Sequence, residues 1–99
     1  MSKYECWLNC DNGKDNIKHI DTNAGALFAA RVAAEIIDNE NDYIIFNDDP
    51  EEFYGQSVVV DTEEAVSVYR IKRYGGLIEG RFVYQAELRS ASSKNGKYL

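Results

Sequence analysis

Lysine and arginine are absent from the middle of this 99-residue chain, between Val32 and Tyr69. The same stretch contains eleven carboxylates and therefore carries a formal charge of −11. Residues 1–31 sum to zero and residues 70–99 to +5, so the net charge of −6 conceals an acidic segment followed by a basic one. A long stretch of one sign argues against contact with phosphate backbones or anionic membranes and favours a partner of opposite charge.

Residues that carry most enzymatic chemistry are scarce. His19 is the single histidine, no serine lies in a nucleophile-elbow pattern, and residues 74–77 lack the spacing and the lysine of a phosphate-binding loop. A pair formed by His19 with Cys6 or Cys10 across a hairpin is the remaining catalytic alternative. We predict that the protein is not an enzyme.

Metal ligands are also few. Cys6, Cys10 and His19 form a C-x3-C-x8-H pattern, which is one ligand short of a closed zinc site. Asp38, Glu40 and Asp42 alternate as a calcium loop begins, but its sixth position falls on a tyrosine where glycine is needed. On one strand the two cysteines would lie about 13 Å apart, too far for a disulfide. We expect reduced thiols, no metal and no other cofactor.

Long hydrophobic runs are missing, and no stretch approaches the roughly 20 apolar residues that cross a bilayer. The first residues resemble no signal peptide. We therefore expect a cytoplasmic protein without membrane contact. A hydrophobic fraction of 44% is enough for one compact core, and we predict a single domain over residues 1–89 with a flexible polar tail over 90–99.

The first half of the chain has clear periodicities. Alternation over residues 4–8 predicts a strand, Asn-Gly at 12–13 predicts a hairpin turn, and residues 17–21 would return as the second strand. Three N-cap candidates at 21–23 precede a helix predicted over 24–37, whose apolar stripe is flanked by alanines.

The second half contains a segment with two possible interpretations. Residues 43–46 and 58–60 read as buried strands, and residues 81–88 alternate as a last strand. Residues 61–74 fit a strand by their β-branched residues but have acids at the start and bases at the end, which favours a helix over 62–73. Ile20-Asp21-Thr22 and Val60-Asp61-Thr62 suggest a weak repeat that supports the helix. The fold class predicted is α+β, with an antiparallel or mixed sheet of four to five strands and one or two helices on one face.

The acidic stretch supplies the main functional hypothesis. Two aromatic residues directly follow a cluster of acids around the only proline, and aromatic anchors ringed by charge are typical of protein-binding hot spots. The residues predicted to bind a partner are Asp38, Glu40, Asp42, Asp48, Asp49, Glu51, Glu52, Phe53 and Tyr54. The expected partner is the basic surface of a host nucleic-acid-binding protein or complex, which the acids would block by imitating phosphate charge. In size and composition the chain resembles small inhibitors from phages and mobile elements, of the anti-CRISPR type.

Two alternatives remain. The chain could be a self-associating structural or accessory module, a homodimer in which edge strands such as residues 81–88 pair across a two-fold axis. A weaker alternative is an RNA-binding domain that uses Arg70, Lys72, Arg73 and neighbouring tyrosines. Direct nucleic-acid binding conflicts with the net charge.

Overall fold

The fold is an antiparallel sheet of five strands with one helix on one face. A computed structural model describes residues 2–46, 56–78 and 81–94, and at residues 75–78 and 81 it describes the backbone only. The elements are β1 (Ser2–Leu8), a short 3-10 helix (Gly13–Asn16), β2 (Lys18–Thr22), α1 (Ala26–Glu40), β3 (Ser57–Asp61), β4 (Ala65–Ile78) and β5 (Arg81–Ser93). The α+β class predicted from the sequence is confirmed, with one helix among the described residues.

The sheet order is β2-β1-β3-β4-β5, and every neighbouring pair is antiparallel. Helix α1 connects β2 to β3 and crosses the face of β1, which lies between them. Four fully buried alanines, Ala29, Ala30, Ala33 and Ala34, lie in the core beside Val58, Val60 and Ile71 of the sheet. Small side chains let a helix backbone approach a sheet closely, as the alanine-rich stripe predicts.

The helix predicted over residues 62–73 is wrong, because this segment forms strand β4. Side chains on β4 alternate between the two faces, with Tyr69 and Ile71 buried in the core under α1. The residue expected to cap a helix, Thr62, instead accepts hydrogen bonds from the backbone N–H groups of Glu64 and Ala65 and forms a tight turn. The repeat inferred from the matching triplets therefore has no structural counterpart.

The strand predicted over residues 43–46 is also wrong, since the segment is a turn and a bend that follow α1. Helix α1 runs three residues beyond its predicted end at Ile37 and stops at Glu40. Asp42 and Tyr43 then adopt left-handed backbone conformations, with φ of 57° and 61°. A turn directly after a helix brings the chain back over the core, where Phe46 is fully buried.

Two further boundaries differ from the sequence prediction. The link between β1 and β2 is a 3-10 helix rather than a two-residue turn, and its glycine lies against β1. A Cβ on Gly13 would lie 1.7 Å from the carbonyl oxygen of Leu8. At the other end of the chain, β5 continues to Ser93, so the domain boundary predicted at residue 90 falls inside a strand.

Candidate functional site

The predicted partner-binding residues that the structure describes lie around the C-terminus of α1. Glu40 and Asp42 are exposed there, at the end of the sheet where β1 ends and β3 begins. We call this the acidic end, defined by Glu40, Asp42 and the two residues that flank segment 47–55, Phe46 and Gln56. The flanking residues are both held at this end. The N–H of Phe46 donates to the Asp38 carboxylate, and the carbonyl of Gln56 accepts from the N–H of Ile71.

Six of the predicted binding residues fall in segment 47–55. They are Asp48, Asp49, Glu51, Glu52, Phe53 and Tyr54, and they lie outside the described residues. Their position in the chain nevertheless matters. The described residues on either side of the segment, Phe46 and Gln56, both lie at the acidic end.

Asp38 does not belong to an exposed acidic patch, because its side chain is fully buried. Its Oδ2 accepts hydrogen bonds from Arg73 Nη1 at 2.8 Å and from the Tyr84 hydroxyl at 2.7 Å. Its Oδ1 accepts from the N–H groups of Ile45 at 3.2 Å and Phe46 at 3.3 Å. All four contacts are internal, so Asp38 presents no carboxylate oxygen to a partner. The prediction that it binds one is corrected on this geometry.

The Asp38 cluster joins the end of α1 to both long strands. Arg73 also donates to the carbonyl of Tyr43 and lies with its guanidinium 4.4 Å from the centre of the Phe82 ring. Burial and the hydrogen bond to the Asp38 carboxylate raise the pKa of the Tyr84 hydroxyl well above its ordinary value. The phenol therefore stays protonated and remains a donor to the carboxylate at every physiological pH.

Glu40 is exposed but not isolated. Its carboxylate accepts hydrogen bonds from Lys18 Nζ and from Asn16 Nδ2, the latter at 3.0 Å, and Lys18 also donates to Asn16. The hydrogen bond from Lys18, followed by that from Asn16, lowers the pKa of Glu40 below its ordinary value. The group therefore stays ionised at mildly acidic pH and keeps its charge at the acidic end.

Substituting Lys18 by methionine is expected to raise the pKa of Glu40 toward its ordinary value, because the first cause of the depression is removed. A carboxyl ¹³C titration by NMR measures this directly. Asn16→Ala is the matched variant, and its expected rise is smaller because a neutral donor stabilises a carboxylate less than an ammonium does. A Glu40 titration that is unchanged in Lys18→Met would contradict the contact.

Of the four other described acids of the middle segment, Glu35 lies on α1 itself and three lie further away. Asp61, Glu63 and Glu64 lie at and beside the turn between β3 and β4, at the opposite end of α1. A helix of fifteen residues is about 22 Å long, so these acids are separated from Glu40 by most of the molecule. Asp61 is paired with Lys94. The seven acids of this stretch that the structure describes therefore do not form one continuous face.

The basic cluster considered for RNA binding is divided by the alternation of β4. Arg73 points to the helix face and is bound to Asp38, whereas Arg70, Lys72 and Tyr74 line a shallow cleft on the opposite face with Gln85 and Glu87. Lys72 Nζ lies 5.9 Å from the centre of the Tyr74 ring. The sequence did not predict this separation of the basic residues, because residues 62–73 were assigned to a helix. Only in a strand do successive side chains point to opposite faces.

The two thiols have very different environments. Both cysteines are free, as predicted. Cys6 is fully buried under α1, and desolvation raises its pKa to about 12, whereas Cys10 is exposed and lies beyond the end of β1. His19 is paired across the sheet with Glu5 and is exposed, while the Cys6 thiol lies in the core under α1. No Cys–His pair is therefore formed with Cys6.

Within residues 2–46, 56–78 and 81–94, no group of three or more histidine, cysteine, aspartate or glutamate side chains is arranged to hold a metal ion. Over the same residues, α1 falls short of the length and apolar character that crossing a membrane requires. Comparison with protein-family models, with curated proteins and with solved structures finds no match for this chain.

Proposed function

We propose that the protein is a non-enzymatic binding protein whose acidic end docks on a basic surface of a nucleic-acid-handling protein or complex. One observation carries the proposal. Phe46 and Gln56, which flank the most acidic segment of the sequence, both lie at the end of the sheet that carries the exposed carboxylates of Glu40 and Asp42.

The charges inside the fold support this choice of surface over the rest of the acidic stretch. Asp38 is neutralised by Arg73, Glu40 is paired with Lys18, and Asp61 is paired with Lys94 at the other end. Asp42 has an exposed side chain, and segment 47–55 carries four acids and no base. The exposed carboxylate of Asp42 at the acidic end is one that an external cation can reach, and an acidic surface accelerates association with a basic partner.

The class of partner follows from the same chemistry. Extended basic surfaces on intracellular proteins are chiefly nucleic-acid-binding grooves, which bind phosphates through lysine and arginine. An acidic protein in such a groove excludes the nucleic acid by occupying the same cations. The two aromatic residues of the segment, Phe53 and Tyr54, would supply apolar contact area in a surface otherwise made of charge.

Charge reversal tests the proposal with a matched control. The test variant is Asp42→Lys with Asp48→Lys, at the acidic end, and the control is Glu63→Lys with Glu64→Lys, which makes the same change in net charge at the opposite end. Tagged proteins capture nucleic-acid-binding proteins from a lysate at low salt, and captured proteins are then purified. We expect the test variant to weaken binding at least about tenfold, as loss of close charge pairs does, and the control to bind like the wild type.

Function is measured on the purified partner by a gel shift of its nucleic acid. Wild-type protein is expected to displace the nucleic acid, and the test variant to lose this effect. Equal loss in both charge-reversed variants would show that net charge, not the acidic end, determines binding. Full binding by the test variant would refute the proposal.

A further inference from the structure

The two edges of the sheet are very different. The edge strand β2 has five residues, and its exposed positions are polar or charged, as is usual where a sheet avoids pairing with other chains. The other edge, β5, has thirteen residues. In the part of the chain that the structure describes, β5 pairs with β4 on its inner side and with no strand on its outer side.

A side chain of α1 covers part of the outer edge of β5 near its start. Arg31 of α1 donates through Nε to the carbonyl oxygen of Tyr84 at 3.0 Å. This contact shows that the Tyr84 carbonyl points away from β4, toward the open side. Since backbone groups alternate along a strand, the carbonyl and N–H groups of Phe82 and Ala86 point the same way.

An apolar groove runs between α1 and this edge. It is lined by Phe28, Val32, Phe82 and Val83, with Arg31 and Glu35 at its rim. Phe28 of α1 is 40% exposed beside this groove, which is high for a large apolar side chain. Val83 is 38% exposed, and because side chains alternate along β5 it points to the opposite face of the sheet from Phe82 and Tyr84. An unpaired strand beside an exposed apolar groove is a typical site for the addition of another strand.

The rim charges indicate which strand is added. Arg31 and Glu35 are four residues apart, so they lie one turn apart on the same side of α1. Glu35 makes no ion pair with any described residue. A two-fold axis beside the helix would place Arg31 of one copy opposite Glu35 of the other, and the same pair would form twice.

We propose that a second copy of this chain occupies the groove, with the two β5 strands paired antiparallel near Tyr84 and the sheets joined into one of ten strands. Arg31 leaves the Tyr84 carbonyl and binds Glu35 of the second copy, so that this carbonyl accepts an N–H of the added strand. Phe28 of both copies becomes buried at the seam. The surface is separate from the acidic end, and the proposal stands independently of the partner proposed above.

Charge exchange at the rim provides the test. Wild-type protein is measured by sedimentation equilibrium from micromolar to millimolar concentration, and a dimer is expected. Arg31→Glu places two acids opposite each other and Glu35→Arg two bases, so each variant alone is expected to raise the dimer dissociation constant at least about tenfold. An equimolar mixture of the two variants is expected to form a mixed dimer, because both pairs across the axis are then of opposite sign.

Recovery of dimerisation in the mixture would distinguish this interface from general effects of charge. Only the combination of the two variants restores opposite charges between positions 31 and 35 across the axis. Circular dichroism of each variant checks the fold. A wild-type protein that is monomeric throughout the range would overturn the proposal, as would a dimer that both variants leave intact. Asp42→Lys with Asp48→Lys is expected to dimerise normally, which separates failure here from failure of the partner proposal.

Discussion

Asp38→Ala is expected to lower the free energy of unfolding by about 3–5 kcal/mol, the usual effect of removing one member of a buried ion pair. The change strands the Arg73 guanidinium, whose side chain is only 13% exposed. It also removes the acceptor for the Tyr84 hydroxyl and for two backbone N–H groups in the bend after α1. Urea unfolding followed by circular dichroism measures the loss.

Two further variants separate the buried network from charge in general. Asp42→Asn removes an exposed charge four residues away and keeps a residue that tolerates the left-handed backbone found there. It is expected to change the free energy of unfolding by less than about 0.5 kcal/mol. Arg73→Met combined with Asp38→Ala is expected to cost less than the sum of the single changes, because the second removal no longer strands a charge. Strict additivity would mean that the two residues are not coupled.

Gly13→Ala is expected to destabilise the protein by about 1–3 kcal/mol, the usual cost of forcing extra atoms into a packed site. The added Cβ would lie 1.7 Å from the Leu8 carbonyl oxygen and 3.2 Å from Trp7 Cδ1. The first contact is with backbone, so the 3-10 helix after β1 must move. Thermal and urea unfolding measure the loss, and the emission of Trp7, the only tryptophan, reports the movement in the folded state.

Gly25→Ala is the comparison for Gly13→Ala. Gly25 precedes α1 with φ of +97°, and nothing lies within 4 Å of the position of its Cβ. Any destabilisation there comes from backbone conformation, so the emission of Trp7 in the folded state should be unchanged. A Gly13→Ala protein as stable as the wild type, with unchanged emission, would contradict the close packing of the turn on β1.

The sequence was most informative where local periodicity and burial agree. Alternation at residues 4–8 and 81–88 predicted two of the five strands, and the alanine stripe predicted α1. Strand β4 was missed because its charged ends imitate helix signals, whereas its conformation is determined by pairing with β3 and β5. Such pairing is not visible within a local window of sequence.

The site was predictable only in part for a similar reason. Asp38 occupies a run of polar residues and reads as a surface acid, but its partner Arg73 lies 35 residues further along the chain. No spacing rule connects the two. Exposure of Glu40 and Asp42 was predictable from the polar end of the helix, whereas the distance between the acids near Glu40 and those near Glu63 depends on the direction in which α1 crosses the sheet.

The contrast between the two thiols makes the protein suited to selective labelling. The Cys6 thiol is buried and its raised pKa leaves almost no thiolate at neutral pH, so a maleimide should react with Cys10 alone. Asn9, its neighbour in the chain, donates its N–H to the carbonyl of Ser57, which directly follows Gln56. A fluorophore on Cys10 would therefore lie close to the acidic end and would report docking there through a change in anisotropy, without any substitution in the chain.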